Sequence, residues 1–592
     1  MAYETIPSDT AKIPKGIPYI ISNEAAERFS FYGMKAALAI FLANYLDVLG
    51  GESLSETKAT AYVSFFTSAV YLTPLLGAFL ADFFWGKYKT IITLSIVYCI
   101  GHLCLAMMGM NGSVQLWLLA GLGMIAIGAG GIKPCVSAHV GDQFGKNNQH
   151  LLSQVFNLFY FSINFGAIIS NLAIPWLLKW HGPHIAFGIP GALMALATLF
   201  FWMGRNKFIH IPAHGSRFTD ELFSKAGLYI MGKLTLLFLF VAVFWCLFDQ
   251  TATSLVFQAE NMDLNLLGIE VLPSQIQAAN PFLILILIPL FTWVIYPFVN
   301  KYIKLTPLRK IGSGLFLMVL AFAIIALAQE SIDAGNKPSI HWQLIAYLIL
   351  TTAEVLISIV CLEFAYTQAP KKMKSFVMSI FLVSVAAGNL LTSAINIYIQ
   401  IPEVYLVENT PHLGYDKLAE TEDDLLLKDG IIISTTQLSL EKSKSIITNY
   451  FKQNNSFPDN TTAQALIKNI KDPWDQNLNY TLLNSTQARL NSYGPDHTEK
   501  TRWDLGLIIN AIEPTPEEAD TWLNKEKQKL GIDISSTKPG DKATLTSAYY
   551  AGGQTRLEGA PYFWFFTALM LLTAILFIPF SLFYKSKTYL QE

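Results

Sequence analysis

ISNEAAERFSFYGMKAAL, residues 21–38, places four charged side chains inside an otherwise apolar, helix-forming stretch near the start of the chain. Counted from Glu24, the other three, Glu27, Arg28 and Lys35, lie three, four and eleven residues further on. These spacings put all four on one stripe of a helix, spread over about 16 Å at ~1.5 Å per residue. Charged groups are costly at bilayer depth and normally face a bundle interior or a water-filled path. The stripe therefore predicts a helix that lines an interior cavity.

The composition of the whole chain is that of a protein surrounded largely by lipid. Its 592 residues are 52% hydrophobic and only 14% charged. The formal net charge of −2 leaves no basic surplus to neutralise phosphates, so we expect no nucleic-acid partner. The five cysteines show neither CxxC nor metal-ligand spacing, so we expect neither a metal nor a cofactor. The N-terminus lacks a short apolar run with a cleavage site, so we expect no removed signal peptide.

Hydropathy predicts twelve membrane-spanning helices and therefore an all-α membrane protein. A hydrocarbon core needs about 20 apolar residues per spanning helix, and stretches of this kind recur through the chain. The predicted spans are residues 17–46, 59–84, 90–110, 114–138, 150–179, 185–204, 233–256, 278–300, 309–329, 341–368, 374–400 and 560–584.

Lysine and arginine in the short loops predict the orientation. They accumulate after even-numbered helices, as in WGKYK (85–89), NKYIKLTPLRK (300–310) and APKKMKS (369–375), whereas GMNGS (109–113) follows an odd-numbered helix. Because positive residues stay on the cytoplasmic side, both termini are predicted to be cytoplasmic.

Residues 401–558 interrupt the hydropathy pattern with a polar segment, which the same count places outside, in the periplasmic or extracellular space. STTQLSLEKSKSIITNYF (434–451) and PTPEEADTWLNKEKQKLGI (514–532) have helical patterns, the second beginning with Thr, Pro and paired Glu. We expect a partly folded, helical insert with coil between. It has no cysteine, which favours a bacterial inner (plasma) membrane over a disulfide-stapled animal domain.

Further polar residues occur within predicted spans. Lys133 lies in GAGGIKPC (128–135) of the fourth helix, where glycines permit close backbone approach. Trp245 and Asp249 lie one turn apart in the seventh. These residues are candidates for the same interior site as the charged stripe.

The tenth helix carries Glu354 and Glu363, nine residues apart. On a straight helix this spacing puts them on nearly opposite faces, so we expect them to have different roles. Asn164 and Asn280 add uncharged polar groups at depth in the fifth and eighth helices.

A purely structural interpretation stays open at several positions. Glu24 and Arg28 at i, i+4 can be a buried ion pair that only orients helices. Glu354 can be a residue whose hydrogen bonds are satisfied within the helix bundle. Tyr71 and Phe381 can be packing residues.

The motifs resemble those of the proton-coupled oligopeptide transporters, a branch of the major facilitator superfamily. EAAERFSFYG (24–33) is similar to the first-helix signature ExxERFxYYG, departing at Phe31. GAFLADFFWGKYKTIITLSIVYCIG (77–101) resembles the long signature across the second and third helices, and FNLFYFSINFGAI (156–168) the fifth-helix pattern. The resemblance covers the spanning segments but not residues 401–558.

The resemblance implies two six-helix bundles that rock around a central site and import di- and tripeptides together with protons. Arg28 and Lys133 would hold the peptide carboxylate, and Glu363 would hold the amino group. The other implied substrate-binding residues are Tyr32, Tyr71, Asn164, Trp245 and Asn280. The implied proton-coupling residues are Glu24, Glu27, Arg28, Lys133 and Glu363, and Lys35 with Asp249 would form a gate ion pair.

Physical chemistry supports these implied roles. Peptides of varied side chain share only two opposite end charges and a backbone, so a cavity with cations on one bundle and a carboxylate on the other suits them. A substrate carboxylate that recruits Arg28 and Lys133 leaves a glutamate without its cation and ready to take up a proton.

Three departures from the family pattern matter. Lys35 stands where Arg is common and lacks the bidentate fork, so its ion pair should break more easily. Ser64 occupies the position of a second-helix histidine found in animal members, so coupling would depend on carboxylates. Animal peptide transporters carry their external domain between helices nine and ten, whereas this insert precedes helix twelve.

The predicted organisation is a first six-helix bundle (1–204), a cytoplasmic linker (205–232), helices seven to eleven (233–400), the insert (401–558) and the last helix with a cytoplasmic tail (559–592). The alternatives to peptide import are another substrate of the same family, nitrate or histidine, or a receptor acting through the insert, whose partner is unknown. An enzyme is not expected, because no nucleophile–base or metal-ligand set is present.

Overall fold

The computed structural model describes residues 3–5, 11–145, 147–213, 225–368, 374–512, 521–530 and 543–584. Four predicted segments therefore lie wholly or partly outside the described residues. They are the linker 205–232, the basic loop 369–375, the helix start at 514–520 and the tail after residue 584.

Six helices, α1 to α6, form the first bundle around a hydrophobic core of their own. Their bounds are Ile17–Asn44 (α1), Glu56–Trp85 (α2), Lys87–Ala106 (α3), Val114–Asp142 (α4) and Leu152–Met203, which is divided into α5 and α6 at Gly182.

Six further helices, α7 to α12, form the second bundle, also with its own core. Helix α7 begins at Lys225, so the last eight residues of the predicted linker belong to a helix. The bounds are Lys225–Phe248 (α7), Pro273–Asn300 (α8), Pro307–Asp333 (α9), His341–Glu354 continued by Val360–Gln368 (α10), Lys374–Tyr398 (α11) and Ala560–Phe583 (α12).

Length and composition make these helices membrane spans. Ten segments among the described residues are long and apolar enough to cross a membrane, and one of them, Gln154–Lys207, contains both α5 and α6. Helix α1 is 28 residues long but carries the four charges of its stripe. Together these make twelve spanning helices in the described part of the chain, as predicted.

Capping residues mark the starts of several helices, and a glycine and a π-helical segment interrupt others. Ser55, Ser113 and Thr306 cap α2, α4 and α9 by accepting hydrogen bonds from backbone N–H groups three residues on. Gly182 adopts φ 80°, a conformation that glycine reaches without a Cβ penalty, and turns α5 into α6. Helix α10 contains a π-helical segment, Val355–Ile359, directly after Glu354.

Consecutive helices run in opposite directions, so the position of the insert distinguishes the two ends of the bundles. The insert joins the end of α11 to the start of α12, and we call this end of the molecule the insert side. Helix α1 begins and α12 ends at the opposite side.

The insert is richer in β-structure than predicted. Its four-stranded antiparallel sheet has the order β6-β7-β8-β9, and a smaller sheet has the order β3-β4-β5. The expectation of helices separated by coil was therefore wrong, although helices do occupy Gln437–Asn454 and Trp522–Lys529. Polar Asn and Thr residues dilute the period-two pattern: NYTLLN (479–484) alternates half-buried and buried residues.

The strands and small helices of the insert enclose a third core. Helices Gln437–Asn454 and Asn460–Ile467 contribute apolar residues that pack with those of the large sheet. The strand bounds are Pro411–His412 (β3), Leu425–Lys428 (β4), Ile431–Ile433 (β5), Asn479–Asn484 (β6), Gln487–Ser492 (β7), Leu505–Ile512 (β8) and Thr544–Ala551 (β9); the hairpin Asn265–Leu266 (β1) and Ile269–Glu270 (β2) lies between α7 and α8.

A carboxylate organises the loop before β4. Asp423 accepts hydrogen bonds from the N–H groups of Tyr415 and Asp416 and from the Thr421 hydroxyl. Burial opposes ionisation of this carboxyl group, but these donors outweigh it and hold the pKa of Asp423 below its usual value.

Candidate functional site

The charged stripe of α1 faces the interior of the protein. Glu24 and Glu27 are 1% and 0% exposed, and Arg28 is 9% exposed. The Arg28 Nε atom lies 2.7 Å from Glu24 Oε1 and 3.1 Å from Glu27 Oε2. One guanidinium is thus shared between two buried carboxylates, so either pairing can be given up while the other is retained.

Lys133 of α4 supplies a second cation with no carboxylate bonded to it. Its Nζ atom lies over the ring of Phe31 at 4.3 Å and over the ring of Tyr71 at 4.2 Å. Among the described residues this buried ammonium has no hydrogen-bond partner. Aromatic faces stabilise a cation but leave its N–H donors unused, so Lys133 can receive an anion.

The second bundle presents a carboxylate to this region. Asn280 of α8 donates to Glu354 Oε2 at 2.7 Å and lies 3.2 Å from the Thr351 hydroxyl. Tyr32 lies within electrostatic range of Glu354 and of Arg28, which connects the two walls. Tyr32 therefore lies between the charged stripe of the first bundle and the Glu354 carboxylate of the second.

Glu363 lies farther along the same helix than Glu354. Its side chain is exposed, whereas Glu354 is half-buried and bonded to Asn280. The nine residues between the two glutamates place Glu363 about 13 Å farther along α10, toward the opposite side. Its charged neighbourhood includes Tyr296 of α8. The role predicted for Glu363 stays a prediction, and Glu354, held by Asn280, is a second candidate carboxylate on the same helix.

Lys35 and Asp249, which the resemblance assigns to a gate, form an ion pair. Lys35 Nζ lies 2.7 Å from Asp249 Oδ1, and both side chains are almost fully buried. Asn389 of α11 donates to the other oxygen, Asp249 Oδ2, at 2.7 Å. Lysine makes a single-point contact, and Asn389 holds the oxygen that the fork of an arginine would have contacted.

Other contacts join the two bundles around this ion pair. Ser68 Oγ donates to the Ala386 carbonyl at 2.8 Å, and Gln275 Nε2 donates to the Leu172 carbonyl at 2.7 Å. Asn44 Nδ2 lies 3.3 Å from Glu260 Oε1 at the outermost end. The structure is therefore closed on the insert side.

Comparison with known proteins identifies the family. The model of the POT family matches residues 88–226 and 224–406. The crystal structure of the POT family transporter PepTSo aligns with a TM-score of 0.61 and 37% identity, covering 66% of this chain and 91% of that one. The chain belongs to the POT family.

The curated relatives of this POT family member are transporters. Solute carrier family 15 member 2 of Mus musculus is 36% identical over 387 residues, which are 58% of this chain and 52% of that protein. Peptide transporter family 1 of Drosophila melanogaster is 38% identical over 360 residues, 53% of this chain and 47% of that protein. The chain spans about half the length of these relatives. The resemblance inferred from the motifs, the helical transporter fold and membership of a transporter family are thereby confirmed.

The remaining predicted site residues of this POT family chain are buried within the two bundles. Asn164 is buried on α5, where its amide donates to the Tyr160 carbonyl at 3.0 Å. Trp245 is buried against Phe381, with ring centroids 6.4 Å apart. The Trp245 indole N–H has no hydrogen-bond partner among the described residues.

Sequence reasoning missed three polar residues of the site. Asn389 holds the gate carboxylate, and Tyr160 lies within electrostatic range of Glu354. Asn23, beside the stripe, is fully buried and has no hydrogen-bond partner for its amide in the described part of the chain. The amides at 23 and 389 interrupt apolar helices, a signal that could have found them, whereas nothing distinguishes Tyr160 among so many aromatics.

Proposed function

We propose that this chain is a proton-coupled symporter that imports di- and tripeptides by alternating access. The observation that carries the proposal is the charge distribution of the two bundles: the first contributes Lys133, whose ammonium has no hydrogen-bond partner among the described residues, and the second contributes the Glu354 carboxylate held by Asn280. Such an arrangement suits a zwitterion whose ends are constant and whose side chains vary.

The peptide carboxylate binds Lys133 and Arg28 in this proposal, and the amino group binds Glu354. Asn280 orients the Glu354 carboxylate through its 2.7 Å hydrogen bond. The side chains of Tyr32, Tyr71, Asn164 and Trp245 line the space between the two ends.

Proton coupling follows from the shared guanidinium. When the peptide carboxylate draws Arg28 toward itself, one of Glu24 and Glu27 loses its cation. An unpaired carboxylate is costly at bilayer depth, so it takes up a proton. Substrate and proton then leave their sites on the same side once the bundles rock.

The positive loops orient the transporter. We infer cytoplasmic termini, an insert in the periplasmic or extracellular space, and a bacterial inner membrane. The insert-side closure then corresponds to a state that releases cargo to the cytoplasm. Labelling of single cysteines placed in the insert, with a membrane-impermeant reagent on whole cells, tests this orientation; labelling only after lysis would contradict it.

Of the same-family alternatives, nitrate fits the site less well, because a carboxylate placed for an amino group repels an inorganic anion. Histidine carries the same two end charges as a peptide, so competition for uptake distinguishes the two. No feature in the described part of the bundles specifically favours a receptor function.

Uptake of a labelled dipeptide into proteoliposomes, with and without an inward proton gradient, tests the proposal. We expect accumulation above equilibrium only with the gradient, and competition by unlabelled di- and tripeptides but not by nitrate. Equal uptake with and without the gradient would refute coupling, and competition by nitrate or histidine alone would refute the substrate.

A further inference from the structure

The insert is anchored to the second bundle at the start of α12. The Arg489 guanidinium of β7 binds the Glu558 carboxylate in a bidentate manner at 3.1 and 2.8 Å. The Asp333 carboxylate at the end of α9 accepts the Ala560 N–H of α12 at 2.7 Å. A bidentate pair fixes orientation as well as distance, so the sheet and the second bundle move together.

One helix of the insert rests on the other bundle. Trp522–Lys529 lies in the chain between β8 and β9, and its residue Lys527 lines one cavity with Glu260 and Pro273 of the second bundle. The Trp522 ring stacks on Tyr45 at the end of α1, with centroids 6.2 Å apart and planes inclined by 18°. It also meets the His184 ring of α6 edge-on at 6.4 Å.

The bend between α5 and α6 forms the socket for this tryptophan. A Cβ atom added at Gly182 would lie 2.5 Å from the Trp522 ring, so only glycine lets the indole approach the backbone here. Leu523 packs beside Trp522 against the core of the first bundle. The socket belongs to the first bundle, and the residue that fills it belongs to the insert.

A cavity of about 460 Å³ lies under this helix and has walls from both bundles. Asn44 and Lys179 line it from the first bundle, Glu260 and Pro273 from the second, and Lys527 from the insert helix. The helix therefore spans the boundary between the two bundles, and the bundles must separate at this boundary if the insert side is to open.

We propose that the helix Trp522–Lys529 is a clasp that holds the insert side closed, its partner surface being the Tyr45–Gly182–His184 socket of the first bundle. This inference rests on the alternating access of the proposed function. Opening the insert side separates the two bundle walls that the helix spans, so the helix must give up its contacts with one of them, and the seating of Trp522 in its socket opposes this separation. The clasp biases the resting population toward the closed state and is not required for transport itself.

The aromatic contact, and not a charge pair, carries this bias. A second tie between insert and first bundle joins Lys58 to Glu403 at 2.9 Å, but both side chains are well exposed. Exposed ion pairs contribute about 0–1 kcal/mol, and salt screens them. The clasp should therefore persist at high salt.

Distances between spin labels on the two bundles test the clasp without any substrate. Asn111→Cys and Leu267→Cys place labels on exposed insert-side loops of the first and second bundle. The native cysteines are buried or half-buried, and labelling of the unsubstituted chain corrects for them. In the full chain in proteoliposomes we expect one dominant short distance. Trp522→Ala should raise the ratio of long-distance to short-distance molecules by roughly tenfold.

Gln528→Ala, an exposed change on the same helix, is the matched control and should leave the distances unchanged. An unchanged distribution in Trp522→Ala, at low or high salt, would overturn the clasp. An equal shift in Gln528→Ala would overturn it too, since the helix would then act without its socket.

A cross-link gives an independent measurement if Trp522→Ala fails to fold. Lys179→Cys and Lys527→Cys line the same cavity, and a bifunctional thiol reagent with a reducible bond should join them. Cross-linked protein should lose peptide uptake, and reduction should restore it. Uptake that survives cross-linking would contradict the clasp. Absence of uptake in the unmodified chain would instead contradict the proposed function, and the spin-label distances would then be the test of the clasp.

Discussion

Replacing Glu354 should separate recognition of the peptide amino group from every other property of the site. Glu354 is half-buried and held at 2.7 Å by Asn280, so its carboxylate is positioned before a ligand arrives. Glu354→Gln keeps the shape and the hydrogen bond with Asn280 but removes the charge. The comparison variant is Glu363→Gln, the same change at an exposed position of the same helix, in the residue to which the resemblance assigns this role.

The size of the effect follows from the contact that is lost. A hydrogen bond to a charged group contributes about 1.5–3 kcal/mol. At ~1.4 kcal/mol per factor of ten, Glu354→Gln should weaken dipeptide binding roughly 10- to 150-fold. An exposed charge contributes about 0–1 kcal/mol, so Glu363→Gln should change binding by less than about fivefold.

Competition against uptake of a labelled dipeptide in proteoliposomes measures both variants. N-acetylated dipeptides carry no ammonium group, so they should compete equally against the unsubstituted chain and Glu354→Gln. Loss of affinity in Glu363→Gln equal to that in Glu354→Gln would refute the reasoning. Equal loss for free and acetylated peptides would show that Glu354 acts on something other than the amino group.

Three further outcomes are expected. Glu27→Gln should abolish gradient-driven uptake and leave peptide counterflow at least partly active, as measured in the same liposomes; surviving driven uptake would place coupling on another group. Asn389→Ala should leave one oxygen of Asp249 without its donor, a loss of about 1.5–3 kcal/mol that opens the insert side in the spin-label distances; unchanged distances would remove Asn389 from the gate. The lowered pKa of Asp423 means that its ionised form stabilises the insert at every pH above the usual value of about 3.9. That stabilisation should fade as the pH falls toward the folded-state pKa, so hydrogen exchange of the loop before β4 should rise with acid in the unsubstituted chain and be fast at all pH values in Asp423→Asn.

Much of the membrane part could be predicted because lipid imposes a simple rule. Every spanning helix must be long and apolar, so the hydropathy pattern alone places the helices of both bundles. Charges inside such helices are rare and costly, which is why Arg28, Lys133 and Asp249 could be selected without coordinates.

The choice between Glu354 and Glu363 shows where this reasoning ends. Both residues interrupt the same apolar helix, and a straight-helix argument says only that they face different ways. Which face meets the cations depends on how α10 packs and on its π-helical segment, Val355–Ile359. Asn389 was missed for a similar reason, since an amide in an apolar helix becomes informative only when its partner is known.

The insert shows the same limit in a soluble setting. Its polar composition correctly separates it from the membrane helices, but the sheet depends on pairing between strands far apart in the chain, such as β8 with β9.

By itself, the sequence determined that this is a twelve-helix membrane protein with a bipolar set of intramembrane charges, because burial in lipid selects residue types one helix at a time. Only the tertiary structure decided that Asn280 holds Glu354 while Glu363 is exposed farther along α10, that Asn389 binds the second oxygen of Asp249, and that Trp522 of the insert rests on the first bundle. Each of these depends on which surfaces of separate elements meet, and such contacts join residues that no local pattern connects.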